Sequence, residues 1–471
     1  MDIVARAATS FGNDPALITP GRSWSFAEID AESARIAAAF ASEGIGKGDI
    51  VAIVAPNSPP MLLTLMALLR VGAVAAPVNH RFPAVHIEGV LQRLAPRMTL
   101  TDPAAGFSSS TVTVELRQFV TAALAGDATS FTAAADSERP VSIIHTSASS
   151  GIPKAALHSF SNHWHNALGS AENLPFGPGD CWLLSLPLYH IGGYSLIFKC
   201  LAGGGAIAAG CPGLTLEEAV TALPVTHLSL VPTQLYRMLR ATQGSAILKG
   251  MKAILLGGSA ASAALLEAAV TSGLPLYLTY GSTEMGSQVS TSTGPIDAPA
   301  TDSGRILPFR EAAISPDGEI LVKGPCLFLG YLEPNGVRRS RDADGWFHTG
   351  DVGSISDDGR LTVLGRRDSM FISGGENIHP EEIEKALAAI SGIEEALVVP
   401  VPDREYGMRP SAWIRVAAGT GVDDGKIASI IGAELGRLKT PVAFNRVTEW
   451  VTIAGSAKID RGWYRKQVTG E

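Results

Sequence analysis

The stretch Thr-Ser-Ala-Ser-Ser-Gly-Ile-Pro-Lys at residues 146–154 directly follows an apolar, strand-like run at residues 141–144. It combines four hydroxyl side chains, small residues that leave the backbone accessible, and a lysine behind a proline. Successive N–H groups in such a turn form an anion-binding nest, and hydroxyls and an ammonium group add charge-assisted hydrogen bonds. It is not a Walker A loop, which requires G-x-x-x-x-G-K-[ST] at the start of a helix. Because Ser/Gly-rich loops are also ordinary surface connections, the interpretation as a polyphosphate cradle depends on the motifs that follow.

The composition is that of a globular protein without a general affinity for polyanions. Of the 471 residues, 46% are hydrophobic and 17% charged, and the formal net charge is −8. The length predicts about three domain-sized units, and the negative charge argues against nucleic acid or an anionic membrane as a partner. The longest apolar run, residues 61–78, is interrupted by Arg70 and Gly72 and is not typical of a membrane span. Four cysteines without CxxC spacing, and no basic-then-apolar leader, favour a cytoplasmic location.

Apolar runs alternate with helical patterns over most of the chain, which is typical of parallel α/β units. Strands are predicted at residues 49–54, 73–78, 228–231, 253–256 and 276–280, and helices at residues 59–70, from Pro232 and from Ser262. From about Gly304, short strands separated by Asp-Gly turns indicate a small barrel or meander. A compact α+β segment follows Gly365, and its helix is predicted to begin at Pro380. We therefore predict an α/β fold with a domain boundary near residues 367–368.

Three further motifs stand where an α/β sheet binds its ligands, or in a turn beyond it. In Y-G-S-T-E at residues 280–284, the ring can stack on a base, the threonine can contact a phosphate, and the carboxylate can hold Mg²⁺ on polyphosphate oxygens. G-G-S at residues 257–259 lets the backbone approach the edge of an adenine. Asp351 is the last residue of a predicted turn at residues 345–351. Its carboxylate can only accept hydrogen bonds, so it is a suitable partner for the two vicinal hydroxyls of a ribose.

Nearer the C-terminus, a polar junction, a Gly-Gly loop and a lysine loop follow one another. The junction is G-R-R-D at residues 365–368, the Gly-Gly loop lies within residues 372–380, and Lys458 stands on a small-residue loop at residues 455–461. Each of these features alone is ordinary, since short polar segments are usually turns.

In this order and spacing, the motifs closely resemble the acyl-CoA synthetase branch of the adenylate-forming superfamily over residues 49–466. The resemblance implies a large N-terminal domain, residues 1–367, of two α/β lobes plus a β-barrel, and a small mobile α+β C-terminal lid, residues 368–471. It implies an enzyme that uses ATP, Mg²⁺ and CoA to convert a small carboxylic acid to an acyl-adenylate and then to a thioester. A homo-oligomer is an open alternative to a monomer.

The resemblance also implies residue roles. The catalytic residues would be Lys458 for adenylation, Glu284 as the metal ligand, Thr146 and His190, and the hinge would be Asp368. The contacts to ATP and CoA would come from Ser147, Ser149, Ser150, Gly151, Lys154, Gly257, Gly258, Ser259, Tyr280, Gly281, Ser282, Thr283, Asp351, Arg366, Gly374 and Gly375. In one departure, Ala148 replaces a glycine of the family's loop, and a positive φ there would strain an alanine by about 1 kcal/mol.

The choice of acid is predicted from the segments around the expected acyl pocket. Residues 182–188 and 228–235 look like o-succinylbenzoate–CoA ligases of menaquinone biosynthesis, whereas residues 372–380 also look like 4-chlorobenzoate–CoA ligase. His190 is expected at the acyl pocket. Lys199, in an otherwise apolar run, is either a snorkelling lysine or a cation for a second substrate carboxylate, which o-succinylbenzoate has and 4-chlorobenzoate lacks. We therefore predict the former activity, with another carboxylic acid–CoA ligase or an enzyme that loads a carrier protein as alternatives.

Overall fold

The computed structural model describes residues 2–107, 113–127, 136–146, 153–210, 213–300, 302–373, 376–417, 419–453 and 458–469. Their α-helices are α1 (Ile3–Phe11), α2 (Phe26–Ser42), α3 (Pro59–Val71), α4 (Ala84–Leu94), α5 (Leu116–Leu124), α6 (Phe160–Ala171), α7 (Ile191–Gly203), α8 (Leu216–Ala222), α9 (Pro232–Arg240), α10 (Gly244–Lys249), α11 (Ala263–Thr271), α12 (Pro380–Ala388), α13 (Asp424–Leu435) and α14 (Arg461–Thr469). Their strands are β1 (Pro15–Thr19), β2 (Arg22–Ser25), β3 (Ile50–Val54), β4 (Val74–Val78), β5 (Met98–Thr101), β6 (Val114–Glu115), β7 (Pro140–His145), β8 (Ala155–Ser159), β9 (Cys181–Leu183), β10 (Ala206–Ala208), β11 (His227–Leu230), β12 (Ala253–Leu256), β13 (Leu276–Ser282), β14 (Ser287–Thr291), β15 (Arg305–Ile306), β16 (Glu311–Ile314), β17 (Glu319–Lys323), β18 (Gly330–Glu333), β19 (Gly336–Arg338), β20 (Phe347–Ile355), β21 (Leu361–Arg366), β22 (Phe371–Ser373), β23 (Glu376–Ile378), β24 (Ile393–Asp403), β25 (Gly407–Val416) and β26 (Phe444–Val447).

Two large mixed sheets form the body of the molecule. One has the order β15-β14-β13-β12-β11-β9-β10-β1-β2, and the other has the order β19-β18-β8-β7-β4-β3-β5-β6. The central strands of each pair in parallel, from β1 to β13 in the first and from β7 to β6 in the second. The α3 and α7 helices are apolar almost all round and belong to one core with residues of both sheets, as expected for helices buried between layers. The two predicted α/β lobes are confirmed.

The segment after Gly304 forms short antiparallel strands, as predicted. They make a sheet of order β16-β17-β20-β21, and a bridge between Arg305 and Arg360 connects it to the strands that extend the first large sheet. Its apolar face packs into a separate core that includes Phe328 and Phe347. This unit therefore lies against the β13 end of the first sheet.

The C-terminal unit is an α+β segment with its own core. Its sheet has the order β23-β22-β25-β24, and β26 pairs with β25. The α12 helix begins at Pro380, with Glu381 and Glu382 in its first turn, where the helix dipole favours acidic residues.

The predicted strands and helices of the body appear within one or two residues of their predicted bounds. The α3 helix begins at Pro59 and ends where Gly72 adopts a φ of +80°, a conformation that favours glycine. The α9 helix begins at Pro232, and Ser262 caps α11 through the N–H of Leu265. No helix in the described part of the chain has the length and apolar character that crossing a bilayer requires.

Candidate active site

The predicted phosphate loop connects β7 to β8, and the structure describes its two ends. The Thr146 N–H donates to the Lys154 carbonyl at 2.9 Å, which closes the base of the loop. Arg93, on α4, donates to the Pro153 carbonyl at 3.2 Å, and Lys154 Nζ lies 5.3 Å from the centroid of the Tyr331 ring. The remaining predicted loop residues lie outside the described part of the chain: Ser147, Ala148, Ser149, Ser150 and Gly151.

The predicted adenine site begins where β12 ends. Gly257 donates its N–H to the Leu230 carbonyl at 3.1 Å. A Cβ added at Gly257 would lie 2.6 Å from Thr279 Cγ2, so the close approach of β12 and β13 requires a glycine. Gly258 adopts a φ of +85°, and Ser259 is exposed.

Tyr280 and Asp351 meet across two sheets. The Tyr280 hydroxyl donates to Asp351 Oδ2 at 2.5 Å, and Arg366 donates to Asp351 Oδ1 at 3.1 Å. Burial raises the pKa of Asp351 against the opposing effects of Tyr280 and Arg366. The β13–β14 pairing has a bulge at Gly281. A Cβ added at this position would lie 2.0 Å from the Ser287 carbonyl oxygen, so the bulge requires a glycine. The structure thus brings together three residues that are predicted to contact the nucleoside.

Glu284 lies in a short 3-10 turn, Thr283–Met285, that directly follows Ser282, the last residue of β13. Its Oε1 accepts a hydrogen bond from the Tyr331 hydroxyl at 2.6 Å. The Thr283 carbonyl bonds to His158 Nε2 at 2.7 Å. Burial lowers the pKa of His158 to about 4, so the ring is neutral at pH 7 and Nε2 carries the proton that it donates.

The surroundings of Glu284 fit a magnesium ion that is shared with a polyphosphate. In the described part of the chain, no three His, Cys, Asp or Glu side chains gather as a metal cage. Mg²⁺ is commonly held by one or two carboxylates together with substrate phosphates rather than by such a cage. The carboxylate of Glu284 is the oxygen ligand that this ion prefers.

Lys458 reaches the same site from the C-terminal unit. It lies close enough to Asp351 and Glu284 to interact with them electrostatically, and desolvation nevertheless lowers its pKa. It also interacts with His190, which directly precedes α7. Burial first, and then Lys458 and Arg81, lower the pKa of His190 to about 4, so His190 is neutral at pH 7.

Lys199, on α7, is 7% exposed and does not snorkel to the surface. Its Nζ donates to Gln288 Oε1 at 2.8 Å and lies 4.6 Å from the centroid of a Trp182 ring. Burial first, and then Arg310, lower its pKa to about 7. Beside it is a cavity whose other lining residues are Trp182, Leu183, Leu184, Ser185, Leu186, Gly192, Gly193, Leu196 and Ser229. The lining of this cavity includes residues 182–186, which belong to one of the segments from which the choice of acid is predicted.

The remaining predicted positions concern the junction to the C-terminal unit. Asp368 lies in a short 3-10 turn, Arg367–Ser369, and its side chain is outside the described part of the structure. Gly374 and Gly375 also lie outside the described residues. Their predicted roles stay predictions.

The comparisons with known proteins agree with this arrangement. A sequence model described as AMP-binding enzyme matches residues 4–332, and one described as AMP-binding enzyme C-terminal domain matches residues 382–458. The chain belongs to the AMP-binding enzyme family. This membership confirms the predicted class of enzyme, an AMP-forming acid–thiol ligase.

Individual members of the AMP-binding enzyme family are similar over almost the whole chain. The 2-succinylbenzoate–CoA ligase of Salmonella typhimurium is 35% identical over 90% of this chain and 87% of its own. The o-succinylbenzoate CoA synthetase from Bacillus subtilis, in complex with the acyl-adenylate intermediate OSB-AMP, has a TM-score of 0.84 and 28% identity over 98% of both chains. The same enzyme in complex with ATP and magnesium ion has a TM-score of 0.83 and 27% identity, again over 98% of both chains.

Three residues at this site were not predicted from the sequence. Tyr331 contacts Glu284, Gln288 contacts Lys199, and Arg93 contacts the base of the phosphate loop. Each stands outside the quoted motifs, and its partner is at least 47 residues away in the chain. No local pattern could have paired them.

Proposed function

We propose that the protein is a 2-succinylbenzoate–CoA ligase that acts through an acyl-adenylate. The observation that carries this choice is the buried Lys199, whose hydrogen-bond acceptor is the neutral amide of Gln288. A buried ammonium group without an anion is unfavourable, and a substrate with a second carboxylate would supply that anion. The relatives described above are named for such an acid.

The reaction proceeds in two steps. A carboxylate oxygen of the acid attacks the α-phosphorus of ATP, and pyrophosphate leaves. The sulfur of CoA then attacks the acyl carbon, the thiol loses its proton, and AMP leaves. Magnesium, when bound by Glu284, neutralises charge on the phosphate oxygens. The site thereby activates a carboxylate that is otherwise a poor electrophile.

The nucleotide roles follow the geometry of the two sheets. We assign base stacking to Tyr280, ribose binding to Asp351 and Arg366, and the adenine edge to the backbone at residues 257–259. Thr146 and Lys154, at the base of the loop, would bind the phosphates, as would Thr283 in the turn after β13. Residues 257–259, Thr146 and Thr283 follow the carboxyl ends of β12, β7 and β13, where α/β sheets bind ligands.

Lys458 would supply a cation at the α-phosphate in addition to magnesium. Thioester formation, the second step, would require Lys458 to move away. We assign residues 368–471 as a lid that rotates about Asp368, so that the loop with Gly374 and Gly375 replaces Lys458 near the acyl carbon.

Lys458→Ala should slow adenylation by about 10²–10³ in rate, yet the variant should still convert supplied acyl-adenylate and CoA to thioester. Equal loss of both half-reactions would contradict the role.

Neutral His190 would stand at the mouth of the acyl pocket and Lys199 at its far end. In that arrangement, His190 does not compete with Lys199 for the second carboxylate.

The proposed location of the protein is a reducing cytoplasm. Cys181, Cys200 and Cys326 are free and buried in the described structure, which supports this proposal.

The test is CoA-dependent AMP release with 2-succinylbenzoate, benzoate and 4-chlorobenzoate. We expect a preference for the dicarboxylate. Lys199→Ala should reduce its use by several hundred-fold, mainly through KM, since breaking a buried ion pair costs about 3–5 kcal/mol. The exposed Lys47→Ala is the matched control.

Other outcomes of this assay separate the alternatives. A preference for a monocarboxylic acid, with Lys199→Ala neutral, would favour the aryl-acid ligase. ATP–pyrophosphate exchange without thioester formation on CoA would favour a carrier protein as the acceptor.

A further inference from the structure

Tyr331 connects the two charged groups assigned to the polyphosphate. It lies on β18, and its side chain is almost fully buried. Its hydroxyl donates to Glu284 Oε1 at 2.6 Å, while Lys154 Nζ lies 5.3 Å from the centroid of its ring. A single side chain thus contacts the carboxylate of the turn after β13 and the lysine at the end of the phosphate loop.

Neighbouring side chains hold the Tyr331 ring in place. Phe328 packs against it edge-on with centroids 4.8 Å apart, and the Arg338 guanidinium carbon lies 5.1 Å from the ring centroid. The β18 strand pairs with β8, with Tyr331 opposite Ala156, two residues after Lys154. A tyrosine hydroxyl is protonated at neutral pH, so it acts as the donor to the Glu284 carboxylate.

We propose that Tyr331 is a positioning residue that fixes the Glu284 carboxylate and the Lys154 ammonium relative to each other, so that both engage one magnesium-bound polyphosphate. The proposal rests on the proposed use of ATP. The hydroxyl occupies one lone pair of Oε1, and the carboxylate keeps further lone pairs for the metal. The ring face attracts the ammonium group through its quadrupole.

The two halves of the Tyr331 side chain have separable consequences. Tyr331→Phe keeps the ring and removes the donor, so the Mg²⁺ concentration needed for half-maximal ATP binding should rise about 10–100-fold, as for other partners of metal ligands. Tyr331→Leu also removes the ring, so ATP should bind more weakly even at saturating Mg²⁺. Adenosine, which has no phosphate, should bind all three proteins equally.

The readout is calorimetric titration of the full-length protein with ATP at a series of Mg²⁺ concentrations. Thermal unfolding midpoints show that the variants are folded, and Tyr406→Phe in the C-terminal unit is the control for loss of a hydroxyl. Glu284→Asp withdraws the carboxylate from Tyr331, so Tyr331→Phe should have no additional effect on the Mg²⁺ requirement in that background.

Three results would separate the failure of this inference from that of the proposed function. If the wild type does not bind ATP, the proposed function is wrong. If the wild type binds it and Tyr331→Phe has an unchanged Mg²⁺ requirement, the inference is wrong. Equal effects of Tyr331→Phe in the wild-type and Glu284→Asp backgrounds would likewise overturn it.

Discussion

At the scale of single residues, the least usual feature is an ammonium group in a site with neutral hydrogen-bond partners. Lys199 donates to Gln288, whose amide oxygen also accepts from Ser170 and whose amide nitrogen donates to Thr291. These three bonds fix the orientation of the amide, with its oxygen toward the lysine. The network therefore holds Lys199 in place without neutralising it.

The charge of Lys199 should make binding of a dicarboxylate depend on pH. Burial lowers its pKa to about 7, below the ordinary value, so the charged fraction in the free enzyme falls as the pH rises above about 7. In the described part of the chain, the other titratable groups that interact with it, Arg310 and His227, add no negative charge. We expect kcat/KM for 2-succinylbenzoate to fall between pH 7 and 9, while that for 4-chlorobenzoate changes less.

The control for the pH dependence is Lys199→Arg. A guanidinium stays charged throughout this range, so its profile with the dicarboxylate should be flat. Parallel profiles for the wild type and this variant would show that another group titrates.

Gln288→Glu should convert the anion site into an internal ion pair. The new carboxylate would stand at the position of an amide oxygen that is 2.8 Å from Lys199 Nζ, so the substrate's second carboxylate would meet a neutralised lysine. We expect KM for 2-succinylbenzoate to rise by about tenfold or more, with little change for monocarboxylic acids. Gln118→Glu, which makes the same change on the exposed side of α5, should be neutral in the same assay.

At the scale of elements, the sequence predicted what depends on local patterns. Continuous apolar runs predicted β3, β4, β12 and β13, and Pro232 and Ser262 located the starts of α9 and α11, because buried strands and capped helices have local signals. The contacts of Tyr331 and Gln288 have no such signal, since each joins a strand to a turn or helix that is 47 or 89 residues away in the chain. The motifs therefore predicted the site, and the sheet order brings the additional side chains to it.

Gly257→Ala tests how closely β12 and β13 must approach to place Tyr280. An added Cβ would lie 2.6 Å from Thr279 Cγ2 and 3.1 Å from the Thr279 carbonyl oxygen, and such overpacking typically costs about 1–3 kcal/mol. We expect a lower free energy of unfolding in urea and weaker ATP binding. Gly21→Ala has no atom within 4 Å of the new Cβ and should change neither quantity.

At the scale of the whole molecule, a small cluster joins the C-terminal unit to the body. Tyr236, on α9, donates to Glu394 Oε2 at 2.7 Å, and Arg240 contacts Glu394 Oε1 at 3.2 Å. Arg415 donates to the same carboxylate at 3.1 Å and stacks over the Tyr236 ring. We call these four residues the interdomain latch. The contacts of this latch are present in the same arrangement that brings Lys458 near Asp351 and Glu284.

Glu394→Gln should loosen the latch and shift the balance between the two half-reactions. The amide loses the charge that three donors share, and a hydrogen bond to a charged group contributes about 1.5–3 kcal/mol, although exposed Arg240 adds little. We expect adenylation, measured by ATP–pyrophosphate exchange, to slow by about three- to tenfold. Thioester formation from supplied acyl-adenylate should be unchanged or faster, because in the proposed mechanism the C-terminal unit leaves this arrangement for the second step.

Glu434→Gln is the matched control, because this exposed carboxylate lies on α13 in the C-terminal unit and is not one of the four residues of the interdomain latch. It makes the same chemical change outside the latch, so the ratio of the two half-reaction rates should stay that of the wild type. If Glu394→Gln also left this ratio unchanged, the cluster would contribute only to folding. The next contacts to test would then be those of Arg367, whose guanidinium contacts Asp317 and Glu319 beside the predicted hinge.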